Sequence, residues 1–180
     1  MLEYSLLKDF FQSKNESLSF SLNDDELGKF CKDFSTFMKA RTWIFLEGEL
    51  GSGKTTLTKS LGYVFHCHDL SSPTFSILNK HKLKKNSLGI DYIFHLDLYR
   101  MNNADEVFYL GLEDELSSCE NSLVIIEWPK RINSKSWKDF FEKTQCPRPK
   151  LLLEIQISYT NEFQSRDYLL RKNDDFFKIK

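Results

Sequence analysis

The chain has 180 residues, which is the length of one domain with a full hydrophobic core. Its 25 lysines and arginines nearly balance its 26 aspartates and glutamates, and the net charge of −1 argues against the global basic field of many nucleic-acid-binding proteins. The four cysteines include no C-x-x-C pair, so neither a zinc ribbon nor a disulfide framework is indicated. The sequence shows no secretory signal and no apolar run of about 20 residues, and we expect a cytoplasmic protein without a membrane partner.

The first elements are predicted from hydrophobic periodicity. Residues 1–16 are compatible with a short helix at the domain edge, and apolar residues at 18, 20 and 22 alternate with serines, which predicts a half-buried strand. Asn23 or Asp24 is placed to cap a helix that carries Glu26 in its first turn. The apolar stripe of that helix consists of Leu27, Phe30, Cys31, Phe34, Phe37 and Met38.

A phosphate-binding signature follows the buried strand predicted at residues 43–46. The octet Gly48-Glu49-Leu50-Gly51-Ser52-Gly53-Lys54-Thr55 fits G-x-x-x-x-G-K-[ST], and Thr56 continues it into a helix. In this motif the glycines let backbone N–H groups face phosphate oxygens, the lysine reaches the β- and γ-phosphates, and the threonine hydroxyl binds Mg²⁺. The helix N-terminus adds the positive end of its dipole. The flanking strand and helix disfavour the alternative, a chance Gly/Ser loop.

Two strands are predicted after the P-loop helix. Pro73 favours an extended segment that leads into the first strand, and residues 92–99 form the second, antiparallel because the connection is short. The lysine-rich segment 80–85 is predicted to be the solvated tip between them, and a nucleic-acid contact is the alternative. The sequence Asn79-Lys80-His81-Lys82 has lysine where the guanine-reading N-K-x-D sequence has aspartate, which favours ATP over GTP.

The second half of the chain predicts further helices and strands. A helix begins at Asn103 or Asp105 and runs to Leu110, and Gly111 interrupts it before another helical segment at 112–116. The continuous apolar run at 123–126 is typical of a central strand buried on both faces. A short helix at 136–141 and a half-exposed strand at 151–157 follow, and the tail either forms a last strand through 168–170 or frays.

Three further residues are candidates for catalysis or metal binding, because ligands of open α/β sheets bind at the carboxyl ends of strands. Glu127 ends the most buried strand, as the Walker B acid does when it supports Mg²⁺ or orients water; an ordinary strand-end acid is the alternative. Asp97, in an apolar segment, needs a partner, either Mg²⁺ with its waters or Arg100. Thr74 lies in a loop that could fold over the γ-phosphate, and a simple turn threonine is the alternative.

Four sequence blocks together resemble the TsaE family (also called YjeE), small P-loop ATPases of bacterial tRNA threonylcarbamoyladenosine synthesis. The resemblance covers roughly residues 18–159. The blocks are the P-loop through Thr56, Ser72-Pro73-Thr74-Phe75, His95-Leu96-Asp97-Leu98-Tyr99-Arg100, and Glu127-Trp128-Pro129. The P-loop alone occurs on many unrelated proteins, and the other three blocks make the resemblance specific.

The predicted elements and the resemblance imply an α/β fold of the P-loop NTPase type, a three-layer sandwich with a mixed, centrally parallel sheet. We expect one domain over 1–180, with an N-terminal extension at 1–17 and a weakly patterned tail at 160–180. The resemblance implies Mg²⁺-dependent ATP hydrolysis that is weak in the isolated protein. It also implies a complex with homologues of the transferase subunits TsaD and TsaB, through which the protein meets tRNA indirectly.

Site residues carried over by position complete these expectations. The resemblance implies catalytic roles for Lys54, Asp97, Glu127 and the switch-loop residue Thr74. Mg²⁺ is expected on Thr55, Glu127 and Asp97, and Trp128 is expected to pack beside the site. The nucleotide-binding set is Gly48, Glu49, Leu50, Gly51, Ser52, Gly53, Lys54, Thr55 and Thr56.

Two other functions stay open at this stage. A P-loop small-molecule kinase is disfavoured because only Arg131 and Arg148 are available for a phosphate-covering lid between the Glu127 strand and the last clear strand. A module that senses ATP without turnover is disfavoured by the pair of carboxylates, Asp97 and Glu127.

Overall fold

The computed structural model describes residues 2–70, 77–101, 106, 111–117, 120–144, 146–160 and 165–173. In chain order the elements are α1 (Tyr4–Gln12), β1 (Ser17–Asn23), α2 (Asp24–Ser35), β2 (Thr42–Glu47), α3 (Lys54–Val64), β3 (Leu78–Lys82), β4 (Tyr92–Asp97), α4 (Leu112–Ser117), β5 (Ser122–Glu127), α5 (Ser134–Lys143), β6 (Leu151–Tyr159) and β7 (Ser165–Lys172). A single 3-10 turn at Pro129–Arg131 connects β5 to α5.

The strands form one seven-stranded sheet in the order β1-β7-β6-β2-β5-β4-β3. The central strands β6, β2, β5 and β4 are parallel to one another, and the outer pairs are antiparallel. All six residues of β5 are buried, as expected of a strand covered on both faces, whereas buried and exposed residues mix in β1 and β7. The predicted mixed, centrally parallel sheet is therefore confirmed.

Two hydrophobic cores make the fold a three-layer sandwich, as predicted. On one face, α1, α2 and α3 pack on the sheet, with α3 contributing Leu57 and Leu61. On the other face, α4 and α5 cover the sheet, with α5 contributing Trp137 and Phe140. Because the side chains of a strand alternate between faces, Ile93 of β4 enters the first core while the next residue enters the second. This alternation decides which side chains of β4 and β5 face the P-loop helix α3.

The structure shows which of the two candidate residues, Asn23 or Asp24, caps the start of α2. Asn23, not Asp24, is the capping residue: its side chain accepts a hydrogen bond from the Glu26 backbone N–H (2.9 Å), and the Glu26 carboxylate accepts one from the Asn23 N–H (3.1 Å). This reciprocal pair is a capping box, which satisfies two N–H groups that a helix start leaves without partners.

The prediction of a lysine-rich solvated tip at 80–85 is wrong in its boundaries. Lys80 and Lys82 belong to β3, which pairs with β4, and the connection begins only after them. The edge position of β3 explains the difference, because alternate side chains of an edge strand stay in solvent and charge there is tolerated. Lys80 bonds to the Glu115 carboxylate.

Other predicted elements differ little from the structure. The helix predicted at 136–141 is the longer α5, and of the two alternatives for the tail the structure shows the strand, β7. The helix predicted from Asn103 or Asp105 to Leu110 lies outside the described residues, apart from position 106.

The packing of α3 yields a stability prediction at Gly62. A Cβ added there would overlap the Leu70 side chain and lie 2.9 Å from the Cys67 carbonyl oxygen. We expect Gly62→Ala to lower the free energy of unfolding by about 1–3 kcal/mol, as overpacking does. Gly28→Ala in α2 is the matched control, because nothing lies within 4 Å of its added Cβ, and it should stabilise by about 0.5–1 kcal/mol. Urea unfolding measures both, and equal effects of the two variants would contradict the packing argument.

Candidate functional site

The loop between β2 and α3 is shaped by glycine. Gly48 has a φ of 151°, and a Cβ there would overlap the Ile157 carbonyl oxygen, so only glycine lets the loop pass this close to β6. Gly53, the N-cap of α3, has a left-handed φ of 106°. Within the described part of the chain no side chain caps α3. The first N–H groups of α3 and the positive end of its dipole are therefore directed into the loop.

The ammonium group of Lys54 lies inside this loop. Its Nζ donates hydrogen bonds to the carbonyl oxygens of Gly48 and Glu49, both at 2.8 Å, and the side chain is only 4% exposed. The indole ring of Trp128 covers it, with 3.9 Å between Nζ and the ring centroid. This cation–π contact confirms the expectation that Trp128 packs beside the site.

The charges around Lys54 explain why a buried lysine is tolerated. Burial lowers the pKa of the Lys54 ammonium, and the negative charges of Glu127, Asp97 and Glu47 oppose that change. Three carboxylates thus compensate one buried cation, and the site combines both signs of charge in a small volume.

Glu127 connects the P-loop to the centre of the sheet. Its Oε2 accepts a hydrogen bond from the Thr55 hydroxyl at 3.0 Å, and its Oε1 lies 2.9 Å from Nε2 of His95. Glu127 is 2% exposed and His95 is fully buried. The β5 strand ends at Glu127 with the side chain toward α3, so the Walker B position predicted for this acid lies directly beside the P-loop threonine.

Asp97 lies at the same edge, one strand away. It pairs in register with Glu127 across the parallel β4–β5 ladder, and its Oδ1 accepts a hydrogen bond from the Tyr99 backbone N–H at 3.1 Å. A cavity of about 210 Å³ opens between the loop and these strand ends. Its lining residues are Leu50, Gly51, Gly53, Lys54, Thr55, Thr56, Asp97, Tyr99, Glu127 and Trp128.

The structure therefore brings eight of the predicted site residues onto one cavity: Leu50, Gly51, Gly53, Lys54, Thr55, Thr56, Asp97 and Glu127. Thr74 and its block lie outside the described residues, so its role stays a prediction. One hydroxyl and two carboxylates form an all-oxygen donor set that fits Mg²⁺, which usually takes one or two carboxylates and completes its shell with phosphates and water.

Two side chains at the site had no role in the sequence-based interpretation. His95 belongs to one of the four blocks that resemble the TsaE family. Its position two residues before Asp97 is the one further pattern that points to the site, because it places both side chains on one face of a strand. Arg166 of β7 packs against the P-loop, since a Cβ at Gly53 would lie 3.0 Å from its Nε, and its guanidinium bonds to Asp24. Nothing local in the sequence identifies Arg166, because strand pairing over a long separation places it there.

Among the described residues, no helix has both the length and the apolar character that crossing a bilayer requires.

A strand, a glycine-rich loop and a helix at the centre of a mixed sheet, with acidic side chains at neighbouring strand ends, define a domain of the P-loop NTPase class. The sequence profile described as "Threonylcarbamoyl adenosine biosynthesis protein TsaE" matches residues 21–166, which is well over half of the chain. The chain belongs to the TsaE family.

Individual relatives agree with this assignment. The chain is similar to proteins named "tRNA threonylcarbamoyladenosine biosynthesis protein TsaE" from three bacteria. The Rickettsia bellii protein is 34% identical over 61% of this chain and 72% of its own length. The Haemophilus influenzae protein is 27% identical over 72% and 71%, and the Synechocystis protein is 40% identical over 51% and 56%.

A solved structure supports the fold. The crystal structure of YdiB from Bacillus subtilis superposes with a TM-score of 0.54 and covers 91% of this chain and 90% of that one. The two chains are 22% identical, so the likeness concerns the architecture alone.

Proposed function

We propose that this protein binds Mg²⁺-ATP at the P-loop and hydrolyses it as a component of the bacterial assembly that forms threonylcarbamoyladenosine in tRNA. The observation that carries the proposal is the 3.0 Å hydrogen bond between Thr55 and Glu127, with Lys54 and Asp97 on the same cavity. This is the arrangement that phosphoryl-transfer chemistry needs, since its catalysis consists mainly of positioning and charge stabilisation. The printed names of the relatives support the tRNA pathway.

In this proposal each residue of the loop has a defined task. Backbone N–H groups of Gly48, Glu49, Leu50, Gly51, Ser52 and Gly53, together with the start of α3 at Thr56, bind the phosphate oxygens. The Lys54 ammonium exchanges its two carbonyl partners for the β- and γ-phosphates. That exchange replaces neutral acceptors by charged ones, and hydrogen bonds between charged groups are the stronger kind.

The two carboxylates complete the site. In this proposal Thr55, Glu127 and Asp97 hold Mg²⁺, which when bound would neutralise the charge that develops on the phosphates. Glu127 and Asp97 are also proposed to orient a water for attack, and Thr74 is proposed as the switch-loop hydroxyl over the γ-phosphate. ATP rather than GTP is proposed as the nucleotide.

The proposed partners are homologues of TsaD and TsaB in the cytoplasm, and tRNA is met only through that complex. The protein does not itself transfer the threonylcarbamoyl group, and its turnover is low until the partners bind. Trp128 and Tyr99 lie at the cavity with ring centroids 5.1 Å apart, and Tyr99 is 42% exposed, so this rim is accessible to a partner.

The test is Mg²⁺-dependent ATP turnover by the purified protein, alone and mixed with a TsaD–TsaB pair. We expect the pair to stimulate turnover, and we expect Glu127→Ala to lose the stimulated rate. If the pair gives no stimulation, or if stimulation persists without Glu127, the hydrolytic assignment fails, and the kinase and ATP-sensor interpretations return.

A further inference from the structure

We propose that His95 is a positioning residue that fixes the orientation of the Glu127 carboxylate beside the P-loop threonine. The proposal rests on the proposed function, because the property that His95 would control is the metal affinity of the Thr55–Glu127 pair. His95 does not line the cavity itself, so it acts only through Glu127.

The two carboxylate oxygens of Glu127 have different hydrogen-bond partners. Oε1 of Glu127 is bonded to His95 Nε2 at 2.9 Å, and Oε2 to the Thr55 hydroxyl at 3.0 Å. The terminal torsion of a glutamate is broad and roughly two-fold, so a carboxylate with one partner keeps considerable rotational freedom. With His95 behind it and Thr55 in front of it, the group is held at both oxygens, and Oε2 stays directed at the P-loop.

The polar groups of His95 define its hydrogen-bonding state. An ionised carboxylate only accepts, so Nε2 carries the proton that is donated to Glu127. The opposite ring nitrogen, Nδ1, is buried and has no hydrogen-bond partner in the described structure. The geometry therefore assigns His95 Nε2 as a donor for Glu127.

The hydrogen bond between His95 and Glu127 is buried, so its loss is expected to have a large effect. His95 is 0% and Glu127 2% exposed, so bulk water does not readily replace a donor lost at Oε1. Hydrogen bonds to residues that hold a metal ion orient those residues, and removing such a partner typically costs about 10- to 100-fold in metal affinity. A histidine that only filled space in the core would affect folding and leave metal affinity unchanged.

A matched pair of variants separates these roles. In His95→Gln, the side-chain amide nitrogen reaches the region of Nε2 and can still donate to Glu127. In His95→Asn, the amide nitrogen reaches only the region of Nδ1, so the donor at Oε1 is lost. Both replacements are polar and smaller than histidine. His95→Phe, which fills the imidazole space without a donor, replaces His95→Asn as the donor-free variant should the latter fail to fold.

The measurement is Mn²⁺ affinity of the protein–ADP complex, followed by the loss of free-ion electron paramagnetic resonance signal, with ADP affinity in EDTA as the reference. We expect the donor-free variant to bind Mn²⁺ about 10- to 100-fold more weakly. We expect His95→Gln to stay within a few-fold of the wild type, and ADP affinity in EDTA to be nearly unchanged in all folded variants. Urea unfolding without ligand records stability separately.

The outcomes distinguish this proposal from the one on which it rests. Equal Mn²⁺ affinity in the wild type and the donor-free variant, or a loss that His95→Gln shares fully, would overturn the role of His95 and leave the metal site standing. No Mn²⁺ binding by the wild-type ADP complex would overturn the metal site and, with it, this role for His95.

Discussion

Replacing Lys54 with alanine is expected to abolish Mg²⁺-ATP binding in a protein that still folds. Among the described residues that line the cavity, Lys54 contributes the one ammonium group, and its Nζ lies inside the loop, 2.8 Å from two carbonyl oxygens. Those two hydrogen bonds are lost in the variant at a cost of about 1 kcal/mol each. Because burial lowers the pKa of Lys54, its removal also ends an unfavourable desolvation, which offsets part of that cost.

A thermal unfolding experiment measures the effect. ATP at about 100 times its dissociation constant should stabilise the wild-type protein by about 2.7 kcal/mol, and Lys54→Ala should show no shift at the same concentration. Lys59→Ala is the matched control, because it removes the same charge from an exposed position on the same helix, α3. A full ATP-dependent shift in Lys54→Ala would show that the phosphate site is elsewhere.

Changing Glu127 to glutamine is expected to lower ATP turnover by about 10²- to 10³-fold, the usual effect of removing one preorganised charge-stabilising group. The amide keeps the volume of the carboxylate, and its carbonyl oxygen can still accept from His95 at the 2.9 Å contact, so packing in this buried position is preserved. The variant lacks the negative charge that holds a metal ion between β5 and the P-loop. Nucleotide binding should persist, because Lys54 and the loop are unaltered.

Single-turnover hydrolysis with protein in excess over ATP suits this test, since the isolated protein is expected to be slow. Glu142→Gln makes the same chemical change on the exposed face of α5 and should leave the rate unchanged. If Glu127→Gln retained the wild-type rate while binding ATP, Asp97 would become the principal acid of the site.

The parts of the structure that the sequence predicted well depend on local signals. The P-loop motif, the fully apolar β5 and the acid that ends it are each contained within a few consecutive residues. The general rule that ligands meet the carboxyl ends of parallel strands then brings Asp97 and Glu127 together without further information. The β4–β5 register confirms that step.

What the sequence left open depends on contacts between distant segments. Whether Lys80 lies in a strand or in a tip is decided by the edge position of β3, which no local pattern reveals. The hydrogen bond between His95 and Glu127 joins two strands, and the approach of Arg166 to Gly53 follows from β7 lying between β1 and β6. Single-sequence patterns describe which face of a strand is buried, but not which strand becomes its neighbour.

The position of β7 also determines how much of the sheet can form while the chain is being synthesised. Among the described strands, β1 is bonded in the sheet to β7 alone, and Ser17 pairs with Arg171, so β1 leaves the ribosome long before its partner. Contacts over such separations form slowly, because the entropy of closing a long loop is lost before the pairing is gained. The P-loop is likewise translated well before its neighbours Ile157 and Arg166, which belong to β6 and β7. A nascent chain that ends before β7 therefore exposes the unpaired edges of β1 and β6, which are available for aggregation or for a chaperone.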